Sequence, residues 1–439
     1  MNKKKGKKKS TVKPCIEAEL NKFFSPEWLR ATAKETGLIK RERKIDPVLL
    51  FWVLVLGFGV QLQRTLAGLR REYEEKGCVH LSRGSFYERF SPELVKFLHM
   101  CVLHRLEQLT RDVHISVNEK LSVFKDLLIQ DSTIIRVHES LVDKWPAVRT
   151  RKAAAGVKVS LLISAVSDSV KRVSIHGERT GERKTLRIGP WVKDRILLID
   201  LGFYHHHMFT RIAENQGFFI SRLKGTADPL IVSVNKMCRG NSIDLVGKRV
   251  KDVLPQLKRQ IVDVMVEVPI KRRAYRGKQR GDVSRFRLVA VYNVEDEKYH
   301  AYLTNISPEV LPAEDMVTLY RARWHIELIF KELKSRYGID ILPTSNPEIV
   351  KALIWVGILT LLVSRKVYWL ICSNNLEQAV RYTHLRWATL FAEKSSRLMD
   401  KVLDHAGLHP DLMEFFEVFE SQALDPNVNR DRLTDVWRA

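Results

Sequence analysis

The spacing of apolar positions along this chain changes twice. Residues 16–115 read as helical. Leu62, Leu66, Leu69 and Tyr73 recur at helical intervals in QLQRTLAGLRREYEEKG, and Gly77 is placed to end that helix. Ser82, Arg83 and a second short helix, SFYERF, follow. The pattern is helix-turn-helix-like, with Arg83, Tyr87 and Arg89 expected to be exposed, although ordinary helical packing uses the same pattern. The period then shortens. KDLLIQDSTIIRV (125–137), GVKVSLLISAVS (156–167) and KRVSIHGE (171–178) read as strands, with a turn at Asp168-Ser169. RILLIDLGFY (195–204) is a fourth apolar strand, His205 to Asn215 a helix, and GFFISRLK (217–224) a fifth strand. Residues 225–299 break this alternation with β-rich pieces, QIVDVMVEVPI and RFRLVAVYNV, around the basic run KRRAYRGKQRGD. They read as an antiparallel insertion before HAYLTNI (300–306) rejoins the main sheet. Pro312 then opens one long helix through about Arg336, ended by Gly338, and the remainder is mostly helical. Strand and helix alternating in this way predict an α/β fold. The apolar runs Val48–Val60 and Ala352–Val363 fall short of the ~20 residues of a membrane span and read as buried core helices.

Charge changes the picture. Lys and Arg number 74 against 51 Asp and Glu, a formal net charge of +23. Such a surplus favours a polyanion, nucleic acid first, because each neutralised phosphate releases counterions. The first ten residues, MNKKKGKKKS, lack an apolar segment and read as a disordered basic arm rather than a signal peptide. The cysteines at 15, 78, 101, 238 and 372 are odd in number, far apart and without a CxxC. They argue against a disulfide framework and a structural zinc site, and fit a reducing interior. A cytoplasmic protein is expected, with no membrane partner.

The candidate chemistry lies in carboxylates. Asp131 interrupts the apolar strand LLIQDST, where an ionised side chain is costly without a partner. Asp200 ends the apolar strand LLID, and open α/β sheets build sites at such ends; either Asp alone could equally cap a turn. In LYRARWHIELIFKELKSRYGID, the residues Tyr320, Arg323, Glu327 and Lys334 are spaced by 3, 4 and 7 and would form one polar stripe on a continuous helix. Ile326, Ile329, Phe330 and Leu333 supply the apolar face. Three carboxylates can hold two Mg²⁺ ions if one bridges, and flanking cations can hold phosphate. This set suits metal-dependent phosphate chemistry better than sugar or acyl chemistry. Glu332, five residues after Glu327, points elsewhere on the helix, and three adjacent histidines (205–207) rarely ligate one ion.

Tyr320, Arg323, Glu327 and Lys334 match the Y-(2)-R-(3)-E-(6)-K signature of the insertion-sequence-four family of transposases. The segment DST (Asp131 to Thr133) resembles that family's first aspartate region, and DLGFY (Asp200 to Tyr204) followed by FFISRLK resembles its second. The resemblance covers about residues 50–390. It implies a retroviral-integrase-like (RNase H-like) catalytic core with a β-rich insertion, flanked by helical N- and C-terminal regions. Its implied catalytic and metal-holding residues are Asp131, Asp200 and Glu327. It further implies two Mg²⁺ ions, with Mn²⁺ able to substitute, and cut-and-paste transposition by a homodimer bound to transposon ends and target DNA. Tyr320, Arg323 and Lys334 would contact DNA near the cleavage site. Two departures stand out. Relatives that close a DNA hairpin flip a base onto a Trp in the insertion, whereas residues 225–299 hold no Trp and offer Tyr275, Phe286, Tyr292 and Tyr299. The relatives' G-x-K-x-H reads Gly156-Val157-Lys158-Val159-Ser160 here.

The expected boundaries are a basic arm at 1–15, a helical DNA-binding domain at 16–120, a core at 121–224 and 300–345, the insertion at 225–299 and a helical region at 346–439. The loop from Lys271 to Arg287 carries eight Lys and Arg. Within it Lys271, Arg272, Arg273, Tyr275 and Arg276 are expected to track DNA, together with Arg222 and Lys224 on the fifth strand. A nuclease of the same fold without strand transfer, and a non-catalytic DNA-binding relic, are the alternatives.

Overall fold

The computed structural model describes residues 15–407 apart from 42–43, 61–64, 110–122, 149–153, 236–243, 258, 276–277, 341, 343, 375 and 380. The basic arm and the last part of the C-terminal region lie outside the described residues. The chain divides into two compact units. Among the described residues, one comprises those within 15–109, 135–156 and 328–407; the other comprises those within 123–134 and 157–327.

The second unit is organised by a sheet of nine strands: β1 (Asp126–Val137), β2 (Ala155–Ser164), β3 (Ser169–Gly177), β4 (Arg195–Ile199), β5 (Phe218–Arg222), β6 (Leu230–Val234), β7 (Ile261–Tyr275), β8 (Lys278–Asn293) and β9 (Lys298–Thr304). Their spatial order is β3-β2-β1-β4-β5-β9-β8-β7-β6. β1 and β4 are parallel, as are β4 and β5, and β3 runs antiparallel to β2. The largely apolar RILLI and LLIQ segments pair in register, Leu128 with Leu197 and Gln130 with Ile199, and the apolar run fits a central parallel strand covered on both faces. β2 is buried throughout, so its Lys158 and Ser160 must find partners inside the protein.

The segment read as an insertion is part of this same sheet. β9 pairs antiparallel with both β5 and β8, so β6–β8 extend the sheet outward and share its core: Val264, Val266, Phe286 and Leu288 cluster with Phe209 and Phe219. Within this segment, the basic stretch read as a loop is corrected. Most of residues 271–287 lies in the β7–β8 hairpin, with Lys271 opposite Gly281 and Arg272 opposite Arg280. The ladder runs as far as Tyr275 opposite Lys278. Arg287 faces inward there. It is 2 % exposed and grips Asp263 through two bonds of 2.6 and 2.9 Å, while its third nitrogen donates to Leu311 O at 2.6 Å.

The helix expected over 312–336 is two helices, Ala313–Arg321 and Trp324–Ser335. Between them the backbone tightens: Ala322, Arg323, His325 and Ile326 each bond to the carbonyl three residues back. Sequence periodicity cannot register such a local change of winding. Gly338, with φ +57°, lies just past the second helix as expected.

The first unit is helical. Its longest helix among the described residues, Pro347–Asn374, extends well beyond the apolar run at 352–363. With 28 residues it is long and apolar enough to cross a membrane, but 83 % of its most apolar window is buried inside the protein, as a core helix requires. The run at 48–60 begins as the helix Pro47–Trp52 and continues as a π-helix, Val53–Phe58. There the Thr360 hydroxyl lies 2.8 Å from Val55 O, and a Cβ on Gly59 would come within 1.8 Å of Thr360 Oγ1, so only glycine admits the contact. The helix expected to end at Gly77 spans Leu66–Gly77, and the left-handed residue that ends it is Cys78, at φ +48°. Gly77 serves packing instead: a Cβ there would meet Leu49 Cδ2 at 2.7 Å. Arg83 opens the five-residue helix Arg83–Tyr87 and is exposed; Tyr87 and Arg89 are partly covered. Glu332 is fully buried, paired with Arg365 at 2.6 Å and accepting from the Tyr337 hydroxyl, which gives it a structural role.

Candidate active site

Three of the predicted carboxylates meet in the second unit. Asp131 stands near the middle of β1, where Ser132 N–H donates to its Oδ1 at 2.7 Å. Asp200 is the first residue past β4. It caps the 3₁₀ turn Leu201–Phe203, whose Phe203 ring is fully buried and fixes the turn. Glu327 lies in the first turn of the helix Trp324–Ser335. The parallel pairing of β1 and β4 brings the two aspartates side by side, since residue 130 is in register with residue 199.

What unites them is Arg323. Its Nη2 lies 2.6 Å from Glu327 Oε1, its Nε 3.8 Å from Asp200 Oδ1, and its Nη1 3.9 Å from Asp131 Oδ2. The tightened junction between the two helices turns this side chain inward, leaving it 14 % exposed. Burial pulls its pKa down, and the Glu327 bond with the Asp200 charge outweighs that, holding the guanidinium above its ordinary value. Asp131 is pushed up to about 6, first by burial and then by the charges of Asp200 and Glu182; the Ser132 N–H and Arg323 oppose this. Such a site gathers negative charge under partial desolvation and calls for cations.

Two contacts hold the frame. The Tyr320 hydroxyl donates to Ile199 O at 3.3 Å, immediately before Asp200, and its ring sits 5.1 Å from that of Tyr302. Burial raises the Tyr320 hydroxyl to about 12, so it stays a donor. His325 Nε2 lies 2.5 Å from Asp168 Oδ1, anchoring the start of the helix that carries Glu327 to the β2–β3 turn, where Asp168 adopts φ +46°.

The other predicted residues are dispersed. Arg222 ends β5 opposite Tyr302, half-buried, and Lys224 is exposed just beyond. Lys271, Arg272, Arg273 and Tyr275 lie on β7, and Arg276 lies outside the described residues. Lys334 lies two turns beyond Glu327 on the same helix, within the first unit. It is half-buried and held below its ordinary pKa by burial first and then by Arg136, with Asp340 opposing. Among the three histidines, His206 places its two ring nitrogens 3.0 Å from Pro269 O and 3.1 Å from the Tyr204 hydroxyl, a packing role.

Two residues escaped sequence reasoning. Trp324 is 60 % exposed, one residue from Arg323, whose guanidinium carbon is 5.9 Å from its ring. Its signal was legible: Ile326 is buried, and two residues at ~100° each place Trp324 on the opposite side of the helix. Glu182 begins the one-turn helix Glu182–Thr185, and its Oε1 lies 3.5 Å from Ser132 Oγ. In sequence, GERK reads as one more solvated charged loop.

Residues 123–363, more than half of the chain, match the sequence family described as "Transposase DDE domain". Over 380 residues the chain is 24 % identical to the transposase for insertion sequence element IS231F of Bacillus thuringiensis subsp. israelensis, covering 77 % of this chain and 76 % of that protein. It is 20 % identical over 432 residues to the transposase for IS231C of Bacillus thuringiensis subsp. berliner, covering 88 % of each. A 73-residue stretch is 37 % identical to the putative transposase InsL for IS186A of Escherichia coli K12, covering 17 % of this chain and 20 % of that one. The chain belongs to the DDE transposase family.

Proposed function

We propose that this member of the DDE transposase family cuts DNA at the ends of its own mobile element and joins those ends to target DNA, with Asp131, Asp200 and Glu327 as its metal-holding residues. The observation that carries this reading is the convergence of the three carboxylates on one cation, the Arg323 guanidinium. The strand order β3-β2-β1-β4-β5, with β1, β4 and β5 parallel, supports an RNase H-like core with the carboxylates on its first strand, after its fourth, and on a late helix.

The donor set fits divalent magnesium: three hard carboxylate oxygen donors, partly desolvated, already satisfied by positive charge in the form of a guanidinium. When bound, two Mg²⁺ ions supply activation of a water or 3′-hydroxyl and stabilisation of the leaving oxygen, and Mn²⁺ serves in their place. The chain's own residues do the rest. Asp131 ionises fully only above about pH 6, so it is a ligand at neutral pH. Arg323, once its carboxylates are shared with metal, is free to hold a phosphate oxygen by its planar fork. Tyr320 fixes the main chain ahead of Asp200. Trp324 offers a flat exposed face on which an unpaired base can stack, a role the family resemblance places in the insertion. Lys334, Arg222, Lys224, the β7 cations and the helical region at 16–120 contribute phosphate contacts, and two copies work together on paired ends.

The test uses a labelled DNA fragment spanning both flanks of the gene, incubated with Mg²⁺ or EDTA. Wild type should cut at discrete positions only with Mg²⁺, and Asp131→Ala and Glu327→Ala should each lower cutting at least about a hundredfold while still binding the fragment. Cutting without joining would reduce the protein to a nuclease; variants that cut as wild type would reject these carboxylates.

A further inference from the structure

A fourth carboxylate faces the same site, and the surroundings show it is built in rather than incidental. Glu182 opens the short helix Glu182–Thr185, which packs on the turn Leu201–Phe203 that follows Asp200. Contact is so close that a Cβ on Gly202 would come within 1.6 Å of Glu182 Oε2 and 2.7 Å of its Cδ. On the other side, Glu182 Oε1 lies 3.5 Å from the hydroxyl of Ser132, the residue after Asp131. The side chain thus bridges the two segments that present Asp131 and Asp200.

The loop leading to it is clamped from β2. Lys158, 7 % exposed, donates to Thr180 O at 2.6 Å. Ser160 Oγ lies 3.2 Å from Thr185 Oγ1, accepts from Gln130 Nε2 at 2.6 Å, and is 3.5 Å from Asp131 O. Thr185 Oγ1 in turn bonds to Glu182 O at 2.7 Å. These buried polar side chains together hold a charged loop against the strand that carries Asp131.

We infer that Glu182 is a further residue of the metal-binding site, supplying a fourth carboxylate beside Asp131 and Asp200, and that Lys158, Ser160 and Thr185 are its positioning residues. This rests on the metal-holding reading given above for Asp131, Asp200 and Glu327. Beyond burial, the Glu182 charge adds to that of Asp200 in raising the Asp131 carboxyl, so a divalent cation held there relieves all three, and groups that support metal ligands typically change metal affinity by about tenfold or more when removed.

The probe is Mn²⁺ alone, titrated calorimetrically into the full-length protein without DNA. Glu182→Gln should weaken binding by about tenfold. Gly202→Ala, which keeps every carboxylate but fills the space of Glu182 Oε2, should weaken it by a similar factor; whichever variant keeps the wild-type metal-free melting curve decides. Asp131→Asn is run beside them. If Asp131→Asn loses affinity while Glu182→Gln and Gly202→Ala bind as wild type, the assignment of Glu182 is overturned and the three-carboxylate reading stands. If Asp131→Asn also binds as wild type, that reading itself falls.

Discussion

Asp131 carries a cost when ionised, because its carboxyl is buried beside other negative charges. Its carboxyl is raised from 3.8 to about 6, mainly because β1 buries it and secondarily because Asp200 and Glu182 share its surroundings. Between those two values the folded protein keeps a proton that the unfolded chain has released. Stability therefore falls as pH rises through this window, and the deficit is complete above pH 6. We expect Asp131→Asn to stabilise the metal-free protein by up to about 3 kcal/mol near pH 7.5 and to leave it unchanged near pH 3.5, read from urea denaturation in EDTA. Equal stabilisation at both pH values would show that the penalty is not one of ionisation. The aspartate was legible in sequence because a charged residue inside LLIQDST breaks its strand's pattern; its neighbours Glu182 and Arg323 were not legible as neighbours, being 51 and 192 residues away.

At the scale of elements, the site depends on where helices begin and end. The single helix expected over 312–336 would have put Tyr320, Arg323 and Glu327 on one stripe. The break at Ala322–Arg323 separates their roles instead. Tyr320 bonds to the Ile199 carbonyl, Arg323 sits among the carboxylates, and Glu327 lies in a fresh first turn. The start of the first of these helices is fixed by Arg287, which reaches from β8 to Leu311 O while paired with Asp263. Both side chains are at most 3 % exposed. Arg287→Ala would leave Asp263 buried and unpaired, and should destabilise the protein by about 3–5 kcal/mol in thermal or urea unfolding. The double change Asp263→Leu with Arg287→Met should recover much of that loss. A recovery in stability without recovery in DNA cutting would show that the Leu311 contact, and not the ion pair alone, sets the helix in place.

For the molecule as a whole, the dominant quantity is the net charge of +23. If binding rests on phosphate neutralisation, log affinity for DNA should fall linearly with log salt, with a slope near −0.9 per contact. With roughly six to ten contacts, affinity should drop about 10³–10⁵-fold between 50 and 200 mM salt, measurable by fluorescence anisotropy on a duplex of arbitrary sequence. A flat salt response would mean that the surplus charge serves another partner. The same composition left the path of the DNA undefined, since the cations are spread over β5, the β7–β8 hairpin and the helical unit rather than concentrated in one motif.

Sequence alone determined most element types and the alternation of strand and helix through 125–224, and it singled out three carboxylates as candidates, because burial on a strand forces an apolar run and makes an interrupting Asp conspicuous. It also carried the resemblance to the transposase family, because residue spacing is a local property. Only the tertiary structure decided that the supposed insertion continues the main sheet, since strand pairing is a long-range choice that periodicity does not encode. Only it showed the winding change at Arg323, which one backbone turn decides. And only it brought Glu182 against Gly202, a contact permitted by the missing Cβ of a residue twenty positions further along the chain.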